Sequence, residues 1–538
     1  MIDLSITPAP IDWIALLPII LLTSAGVIGM CMEMIRPKQT NNFIVFISLI
    51  GLIAGAGAVI YNWQSSTNEF FGAVYTDSAG NTQNLGLFIQ DRFGQIAQLI
   101  LITVAFLTIL FSEGYLREKR IPFGEFYPLV LWSTVGGMIM VTTRDLIILF
   151  LGLETLSIAL YVLAGLSSQE KRSQESALKY FLLGAFASSF MLFGIALIYG
   201  ATGTTHLFGI QQLFTQTISS TYLYGLAYMG LGMIVVGFGF KAAVVPFHMW
   251  TPDVYQGAPT NVTGFMAAGS KVAAFIAFAR FLDGAIGMKE VYIPILSVIA
   301  VLTMTIGNLI ALAQRDVKRI LGYSSIAHAG YILVAIIAYS QSQKPEGVGL
   351  GFETLIYYLL TYAIMTVGAF AILCLTARSG REGTLLEDYN GLWKRHPIAG
   401  AMMIILMASL AGIPPTGGFF AKYFIFKDAL ETGLIALAII LAINAVISAV
   451  YYLRIAVAVY VDEPEFKPSR FAPMNPGMLL TTLLSGVGIF AAGIFTGVIL
   501  NNMGLTRNTE QSKMTRELGK DLQPIKQENF GINKKELQ

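Results

Sequence analysis

The chain has 538 residues, of which 55% are hydrophobic and 12% are charged, and its mean hydropathy is +0.67. A soluble protein carries roughly a quarter charged residues, so this composition excludes an ordinary soluble fold and indicates a helical membrane protein. The formal net charge of +2 is too small to favour nucleic-acid binding. Cys31 and Cys374 lie in separate apolar segments and predict neither a disulfide framework nor a metal site.

Long apolar stretches follow one another along the chain, in place of the short alternating strands of a membrane barrel. The first stretch lacks a basic leader and a small-residue cleavage site, so it is read as a membrane span and not as a signal peptide. We expect fourteen spans, of which the seventh and the twelfth are interrupted by prolines. Their limits are 11–35, 42–62, 92–112, 126–143, 145–166, 174–200, 222–245, 258–283, 291–313, 319–340, 351–377, 397–426, 433–461 and 477–500.

Basic residues predict the orientation of these spans. Loops after odd-numbered spans, such as 36–41, 113–125 and 314–318, hold most of the lysines and arginines found in loops. The positive-inside rule therefore places those loops in the cytoplasm and both termini on the outer side of the cell (inner) membrane. A thylakoid membrane is the equivalent location in a phototroph. Residues 501–538 form a polar tail for which the sequence indicates no function.

Charged residues inside the predicted spans are the strongest functional signal. The spans contain Glu154, Lys179, Lys241, Lys271 and Lys422. Each charge at mid-membrane costs about 2.5–3.5 kcal/mol, so unpaired they would cost on the order of 10 kcal/mol together. Burial disfavours the charged form of a lysine, which can therefore release and regain a proton, whereas an arginine cannot. A static pair of Glu154 with one lysine is the alternative, but one acid cannot neutralise four bases.

Four other ionisable residues are weaker candidates. His328 and His248 could relay protons near neutral pH, but a membrane histidine is also a common packing residue. Glu33 lies near the cytoplasmic end of the first span, where a surface-facing group is expected. Arg454 lies close enough to a span end to reach the interface with its long side chain.

The proline breaks lie next to two of the lysines. Pro246 follows Lys241 by five residues, and Lys422 follows Pro415 by seven. A proline cannot donate to the carbonyl four residues earlier, and freed backbone is tolerated at membrane depth only beside protein or water. An ordinary proline kink is the alternative at either site. The expected freed carbonyls are those of Ala242, Leu410 and Ala411.

The two breaks have opposite polarity, since one lysine precedes its proline and the other follows it. This arrangement suits spans 4–8 and 9–13 as two inverted five-helix repeats. The expected fold is therefore an all-α membrane protein with discontinuous helices 7 and 12. The expected units are 1–125 (helices 1–3), 126–283 (first repeat), 284–461 (second repeat), 462–500 (helix 14) and 501–538 (tail).

Several stretches of sequence resemble the antiporter-like subunits of proton-pumping NADH:quinone oxidoreductase, respiratory complex I, and in particular subunit N (mitochondrial subunit 2). The resemblance runs from about residue 90 to 500. Subunits N and L resemble this chain in having lysine at the position of Lys422, where subunit M has glutamate. Subunit L continues into a long lateral helix and further spans, so the short tail favours subunit N. The stretches are DLIILFLGLETLSIALYVLAG, KRSQESALKYFLLGAFASS, GFGFKAAVVPFHMWTPDVYQGAPTNV, ALAQRDVKRILGYSSIAHAGY and LAGIPPTGGFFAKYF.

The resemblance implies a role for each buried charge. Glu154 matches the glutamate that gates Lys241, Lys271 the connecting lysine, and Lys422 the lysine of the outward half-channel. Lys179 matches a sixth-span lysine, and His328 a position that links the two halves. The resemblance also implies neighbouring membrane-arm subunits, with flavin (FMN), iron–sulfur clusters and quinone held by those partners. The chain has no phosphate loop, dinucleotide fingerprint or metal-ligand motif of its own.

Three alternatives stay open from the sequence. A subunit of a multisubunit Na⁺/H⁺ antiporter would share these helices and lysines. A membrane-bound hydrogenase or a ferredoxin-linked photosynthetic complex could use the same module. A passive membrane scaffold would keep the intramembrane charges as packing groups. The electron donor, whether NADH, NADPH or ferredoxin, and the proton stoichiometry are not encoded in this chain.

Overall fold

The computed structural model describes residues 5–8, 11–35, 42–64, 68–76, 82–121, 124–215, 221–342, 352–378, 381–460 and 471–502. The predicted polar tail lies outside the described residues from position 503 onward. Twelve helical segments in the described residues are long and apolar enough to cross a membrane. Two further apolar helices are shorter, Phe126–Thr142 and Pro397–Ala411. The predicted class of helical membrane protein is confirmed.

The helices follow the predicted apolar stretches in chain order. The helices of the first half are α1 Trp13–Ile35, α2 Asn42–Tyr61, α3 Arg92–Lys119, α4 Phe126–Thr142, α5 Leu146–Ala164, α6 Lys171–Thr202, α7 Leu207–Thr215, α8 Thr221–Ala242, α9 Trp250–Gly257, α10 Thr260–Phe265 and α11 Lys271–Gly284. Those of the second half are α12 Lys289–Ala313, α13 Val317–Ser342, α14 Phe352–Leu373, α15 Leu392–Arg395, α16 Pro397–Ala411, α17 Gly417–Glu431, α18 Ile435–Tyr460, α19 Pro476–Ile494 and α20 Thr496–Asn502.

Both predicted helix breaks are present. Helix α8 ends at Ala242, and α9 begins at Trp250 after a segment that contains Pro246. The break opens before the proline because Ala243 adopts a left-handed conformation with φ of 60° and Pro246 disfavours helical geometry at the residue before it. The twelfth predicted span is divided into α16 and α17, and Gly412, with φ of 91°, ends α16.

A small antiparallel sheet was not predicted from the sequence. Strands β1 Ser5–Pro8, β2 Asn68–Thr76 and β3 Thr82–Gln90 pair in the order β1-β2-β3. The predicted N-terminal unit of three helices therefore also contains a three-stranded sheet. Two short strands, β4 Ala377–Arg378 and β5 Arg381–Glu382, pair in the loop after α14.

The loops lie on two opposite faces of the molecule. The sheet face carries β1–β3, and backbone bridges join Phe88 to Thr143 and Asp145 to His206 on it. Helix α3 starts directly after β3 and is about 42 Å long, so Lys119 at its far end lies on the other face. We call this second face the opposite face. It carries the loops after α3, α5, α12 and α14, as the predicted alternation of odd and even loops requires.

The core of the molecule is formed by the helices that carry functional candidates. The segment from α10 to α11 is wholly buried, and α13 and α14 are almost wholly buried. Helices α1, α2, α6, α12 and α18 keep more than half of their residues accessible at the periphery. The large apolar side chains exposed on α6 and α18, such as Phe186 and Val446, suit contact with lipid or with neighbouring membrane proteins.

Candidate functional site: a row of buried lysines

Lys241 lies in the last turn of α8, beside the first helix break, and is 3% exposed. Its Nζ donates to Ser157 Oγ at 2.8 Å and to Tyr180 OH at 3.2 Å. The ammonium group also lies 5.5 Å from the centre of the Tyr180 ring. Helix C-termini favour cations, so this is a stable place for a charged lysine. In the observed position Lys241 is held by hydroxyl groups instead of a carboxylate.

Glu154 lies at the middle of α5, one turn before Ser157. Its Oε1 atom is buried and has no hydrogen-bond partner, although its charge acts on Lys241. No ion pair within 4.0 Å joins Glu154 to a lysine among the described residues. The static pair that the sequence left open as an alternative is therefore not formed. Glu154 is instead an unoccupied buried acceptor near Lys241.

Lys271 is 1% exposed and begins α11, immediately after a π-helical turn at Met266–Ser270. Its Nζ donates to the backbone oxygen of Ser325 and lies 5.6 Å from the centre of the Tyr362 ring. Tyr362 OH donates to Ser325 Oγ at 2.9 Å. A π-helical turn within an α-helix is frequent at functional sites, and this one precedes the lysine in the most deeply buried helix.

His328 lies between Lys271 and Lys422, and the charges of both lysines act on its ring. Tyr358 OH lies 2.6 Å from its Nδ1, and Tyr452 OH lies 2.9 Å from its Nε2. Both ring nitrogens therefore have a hydroxyl partner that can donate or accept. The imidazole thus joins two hydroxyl groups, an arrangement that a proton relay requires and that a hydrogen-bonded packing histidine also has.

Lys422 uses the second helix break. It lies on α17, is 7% exposed, and donates to the backbone oxygens of Leu410 at 2.8 Å and Ala411 at 3.0 Å. These are the two carbonyls that the prolines were predicted to free, and they end α16. Ser448 Oγ lies 3.4 Å from the same Nζ. Both broken helices thus place a buried lysine at the C-terminal end of a half-helix.

Lys179 is not part of the buried row. Its side chain is 41% exposed and pairs with Glu175 at 2.7 Å and with Asp253 at 3.0 Å. Helix α6 begins at Lys171, so Lys179 lies about 12 Å from that end of the helix, near the opposite face. The expectation of four lysines facing one acid at mid-membrane is therefore wrong for this residue. Three lysines remain buried.

The weaker candidates are also located. Glu33 was expected to face the surface, but it is 3% exposed and packs against Gly124. This expectation is wrong because the loop before α4 covers the end of α1. Arg454 donates to the backbone oxygens of Leu312 and Gln314 at the end of α12, near the opposite face, as a side chain reaching a span end should. His248 lies in the first break, and its Nδ1 has no hydrogen-bond partner.

Hydroxyl groups are the part of the site that sequence reasoning missed. Ser157 and Tyr180 hold Lys241, while Tyr358, Tyr362 and Tyr452 surround His328 and Ser325. Their spacing contains a signal, because Glu154, Ser157 and Tyr161 recur at i, i+3 and i+7 on one face of α5. Serine and tyrosine are common in membrane helices, so this signal becomes specific only when a lysine is known to face it.

Comparison with known proteins shows the family of this chain. A family model described as NADH:quinone oxidoreductase/Mrp antiporter, TM, matches residues 143–448. NADH-quinone oxidoreductase subunit N of Trichlorobacter lovleyi is 38% identical over 488 residues, which are 90% of this chain and 95% of the relative. The chain belongs to this family. All six candidate residues predicted from the sequence lie within the matched region, and the resemblance to antiporter-like membrane subunits is confirmed.

Solved structures agree with this family assignment. A chain of respiratory complex I from Thermus thermophilus with bound Aureothin is similar with a TM-score of 0.73 and 34% identity, over 90% of this chain and 98% of that chain. A chain of the Mrp complex from Dietzia has a TM-score of 0.74 at 21% identity, over 91% and 96%. The second likeness shows that the fold is shared with that complex, and it carries no evidence on activity.

Proposed function

We propose that this chain carries protons across the cytoplasmic membrane as the subunit N of a complex I type assembly. The single observation that supports this most is the row of Lys241, Lys271, His328 and Lys422. These groups are buried in the membrane core, and each is held by hydroxyl or carbonyl partners. Three unpaired buried lysine charges would cost on the order of 10 kcal/mol in a membrane, which a passive scaffold has no reason to keep.

The proposed path runs from the opposite face, predicted to be cytoplasmic, through Lys241 and Lys271 to Lys422 and the outer side. Glu154 controls the first lysine, since a nearby negative charge favours the protonated amine and its withdrawal favours release. His328 and its tyrosine partners connect Lys271 to Lys422. The energy comes from quinone reduction in other subunits of the membrane arm and its attached redox arm. This chain is then a non-redox part of the oxidoreductase, with FMN, iron–sulfur clusters and quinone bound by its partners.

The finer architecture belongs to the same proposal. Fourteen spans arise if α4 and α16–α17 cross the membrane in addition to the twelve long apolar segments, with spans 4–8 and 9–13 as two inverted repeats. Support comes from the two breaks, each of which brings a lysine to the last turn of a half-helix. The unit limits predicted from the sequence, 126–283 and 284–461, divide the chain between these two sites. With fourteen spans, both termini lie on the outer side.

Lys422→Met and Lys427→Met form a matched test of this function. Both lysines lie on α17, but Lys427 is half exposed and pairs with Glu431 at 3.6 Å. We expect Lys422→Met and Lys241→Met complexes to assemble in normal amounts and to show a lower proton-to-electron ratio in proteoliposomes. Lys427→Met should leave the ratio unchanged. Full pumping by both buried-lysine variants would support the scaffold alternative and contradict the proposal.

The same proteoliposomes separate the proposed function from a cation/proton antiporter subunit. Proton transport by a complex I type subunit depends on electron donor and quinone, and should not change when K⁺ is replaced by Na⁺ or Li⁺. Transport that requires Na⁺ or Li⁺ and proceeds without an electron donor would favour the antiporter. Glu154→Gln should lower the proton-to-electron ratio in assembled complex, because the removed charge no longer acts on Lys241.

A further inference from the structure

The route from the opposite face to Lys241 passes a buried tyrosine. Tyr180 lies on α6 directly after Lys179, is wholly buried, and accepts a hydrogen bond from Lys241 Nζ at 3.2 Å. Its ring stacks on Trp250 with the centroids 4.5 Å apart and meets Tyr161 edge-on at 4.8 Å. The hydroxyl group is therefore held in a fixed position against the lysine by aromatic contacts on two sides.

A charged cluster lies where this route begins, near the opposite face. Asp253 accepts from Lys179 at 3.0 Å and from Arg319 at 2.8 Å, and all three side chains are partly exposed. Asp253 lies on α9, three residues after Trp250, and Lys179 precedes Tyr180 on α6. Two of the three helices that carry the charged cluster, α6 and α9, thus also carry the stacked pair of Tyr180 and Trp250. We call Lys179, Asp253 and Arg319 the mouth cluster.

One further observation indicates water beside the mouth cluster, and a second shows space for water beside Lys241. Thr251, between Trp250 and Asp253 in the chain, is wholly buried, and its hydroxyl has no hydrogen-bond partner among the described residues. A buried hydroxyl without a protein partner commonly binds an ordered water. A small pocket, with room for about one water molecule, also adjoins Lys241, and Ser157, Tyr161 and Ser188 contribute hydroxyl groups to its wall.

We propose that the Tyr180 hydroxyl is the relay through which a proton passes between water at the mouth cluster and the Lys241 amine. This inference rests on the proposed function of proton translocation. In the loaded state Lys241 donates to Tyr180 OH, as observed. In the unloaded state the neutral amine accepts from Tyr180 OH, since a phenol hydroxyl can both donate and accept.

The relay step is balanced without forming a charged tyrosine. A hydronium ion at the mouth side gives a proton to Tyr180 Oη while the original hydroxyl proton moves from Oη to Lys241 Nζ. One O–H bond breaks in the hydronium ion and one in the phenol, while a new O–H bond forms at Oη and an N–H bond forms at Nζ. The amine becomes ammonium, and neutral water remains at the mouth. Arg319 and Lys179 do not take this role, because they pair with Asp253, whereas the hydrogen-bond partners of Lys241 Nζ are Ser157 and Tyr180.

Tyr180→Phe removes the relay and keeps the ring that stacks on Trp250. One charged hydrogen bond is lost, so we expect the loading of Lys241 to slow about tenfold, which corresponds to ~1.4 kcal/mol. In proteoliposomes the proton-to-electron ratio of assembled complex should fall toward that of Lys241→Met. The matched control is Tyr199→Phe on the same helix, where the tyrosine is exposed at the periphery and the ratio should not change.

A second variant distinguishes a relay from a packing role. Tyr180→His packs less well than phenylalanine but restores an exchangeable proton. A relay predicts that the histidine variant pumps better than Tyr180→Phe and that its pH profile shifts toward the titration range of histidine. A packing role predicts the reverse order and an unshifted profile, and that result would overturn the inference. If Tyr180→Phe assembles poorly, pumping is compared per assembled complex, and the variant that pumps better still distinguishes a relay from a packing role.

The outcomes for the relay and for the proposed function are separable. A low ratio in Lys241→Met together with a normal ratio in Tyr180→Phe would overturn the relay and leave the function intact. A normal proton-to-electron ratio in Lys241→Met would instead show that protons do not use this lysine. That result would overturn both the relay and the proposed function. Low ratios in Lys241→Met and Tyr180→Phe, with a normal ratio in Tyr199→Phe, support both.

Discussion

At the scale of single residues, the buried cations differ in their partners according to where they lie. Lys241, Lys271 and Lys422 have hydroxyl and carbonyl partners, which hold a proton without neutralising it permanently. Lys119, by contrast, has a carboxylate partner at 2.5 Å, Glu170, at the opposite face. A lysine paired with a carboxylate stays charged, and this suits a structural contact. The three lysines of the row thus differ from Lys119 in their partners, although Lys318, at the opposite face, is also buried with a carbonyl partner, Ala258.

Glu382 is the acid that completes the structural cluster at the opposite face. Its side chain is 12% exposed, and it accepts from Tyr115 OH at 3.1 Å and lies 3.8 Å from Lys119 Nζ. Burial acts to raise the pKa of the carboxyl, but the charges of Lys318 and Lys119 outweigh it, and the pKa is lowered from its usual 4.5. The ionised form is therefore favoured in the folded protein.

Glu382→Gln should destabilise the chain by about 2 kcal/mol, because the charged hydrogen bonds from the Tyr115 and Thr260 hydroxyls are weakened. Lys119 keeps its pair with Glu170, which limits the loss. Since the folded pKa is lowered, the contribution is present above pH 4.5 and is lost as the pH falls through the lower folded value. The measurement is the midpoint temperature of thermal unfolding in detergent, at pH 7 and in acid. In acid the midpoints of Glu382→Gln and the unchanged chain should converge. Glu113→Gln, whose pair with Arg117 is exposed, is the control and should change little.

At the scale of helices, the two breaks convert backbone into part of the site. The end of α16 supplies Leu410 and Ala411 oxygens to Lys422, and α8 ends one residue after Lys241. Carbonyl groups at a helix end have no helical partner, so a lysine there satisfies them and gains from the helix dipole. A continuous helix would bond the same carbonyls internally and leave the ammonium without acceptors.

Gly412→Ala tests the second break. Gly412 has φ of 91°, and an added Cβ would lie 3.1 Å from Lys422 Cδ and 3.6 Å from Nζ. The left-handed conformation costs alanine roughly 1 kcal/mol, and the methyl group pushes the lysine away from its carbonyls. We expect a lower proton-to-electron ratio in assembled complex, measured in proteoliposomes.

Gly433→Ala is the matched control for that variant. Gly433 also has positive φ, 78°, but its added Cβ would meet nothing within 4 Å. The backbone cost is therefore similar, and pumping should be unaffected. Equal losses of pumping in both variants would show that strain alone, and not contact with Lys422, causes the defect.

At the scale of the whole molecule, the middle of the lysine row lies at the centre because the most buried helices carry Lys271 and His328. Helices α10–α11, α13 and α14 are enclosed by the others, and they bring Lys271, His328 and Tyr358 together. The loops separate cleanly onto the sheet face and the opposite face. The proposed path along the row runs between these two faces, and which of them is cytoplasmic determines its direction.

Labelling of introduced cysteines tests the orientation. Arg117 is exposed on the opposite face, and Glu431 is exposed at the end of α17 nearest the sheet face. In a chain with Cys31 replaced, a membrane-impermeant maleimide should reach Arg117→Cys from the cytoplasmic side and Glu431→Cys from the outer side. The reverse pattern would contradict the positive-inside assignment and reverse the proposed path.

The sequence by itself determined the features that depend on composition and local chemistry. Long apolar runs determined the membrane class, prolines located both helix breaks, and the carbonyls of Leu410 and Ala411 were predicted as freed groups before their lysine partner was known. The family resemblance followed from contiguous motifs. These inferences succeed because hydrophobic length and proline geometry act within a few residues along the chain.

Tertiary structure alone decided which charges are buried and which groups hold them. Lys179 and Lys241 are both lysines in apolar stretches, yet one is paired beside Asp253 and the other is enclosed by Ser157 and Tyr180. Strand β1 pairs with β2 although its residues, from Ser5 to Pro8, are far in sequence from their partners Thr76 to Ala73, and no local pattern specifies such a pairing. Such contacts depend on how distant helices pack, because the cost of a buried charge is decided by the atoms around it and not by its neighbours in sequence.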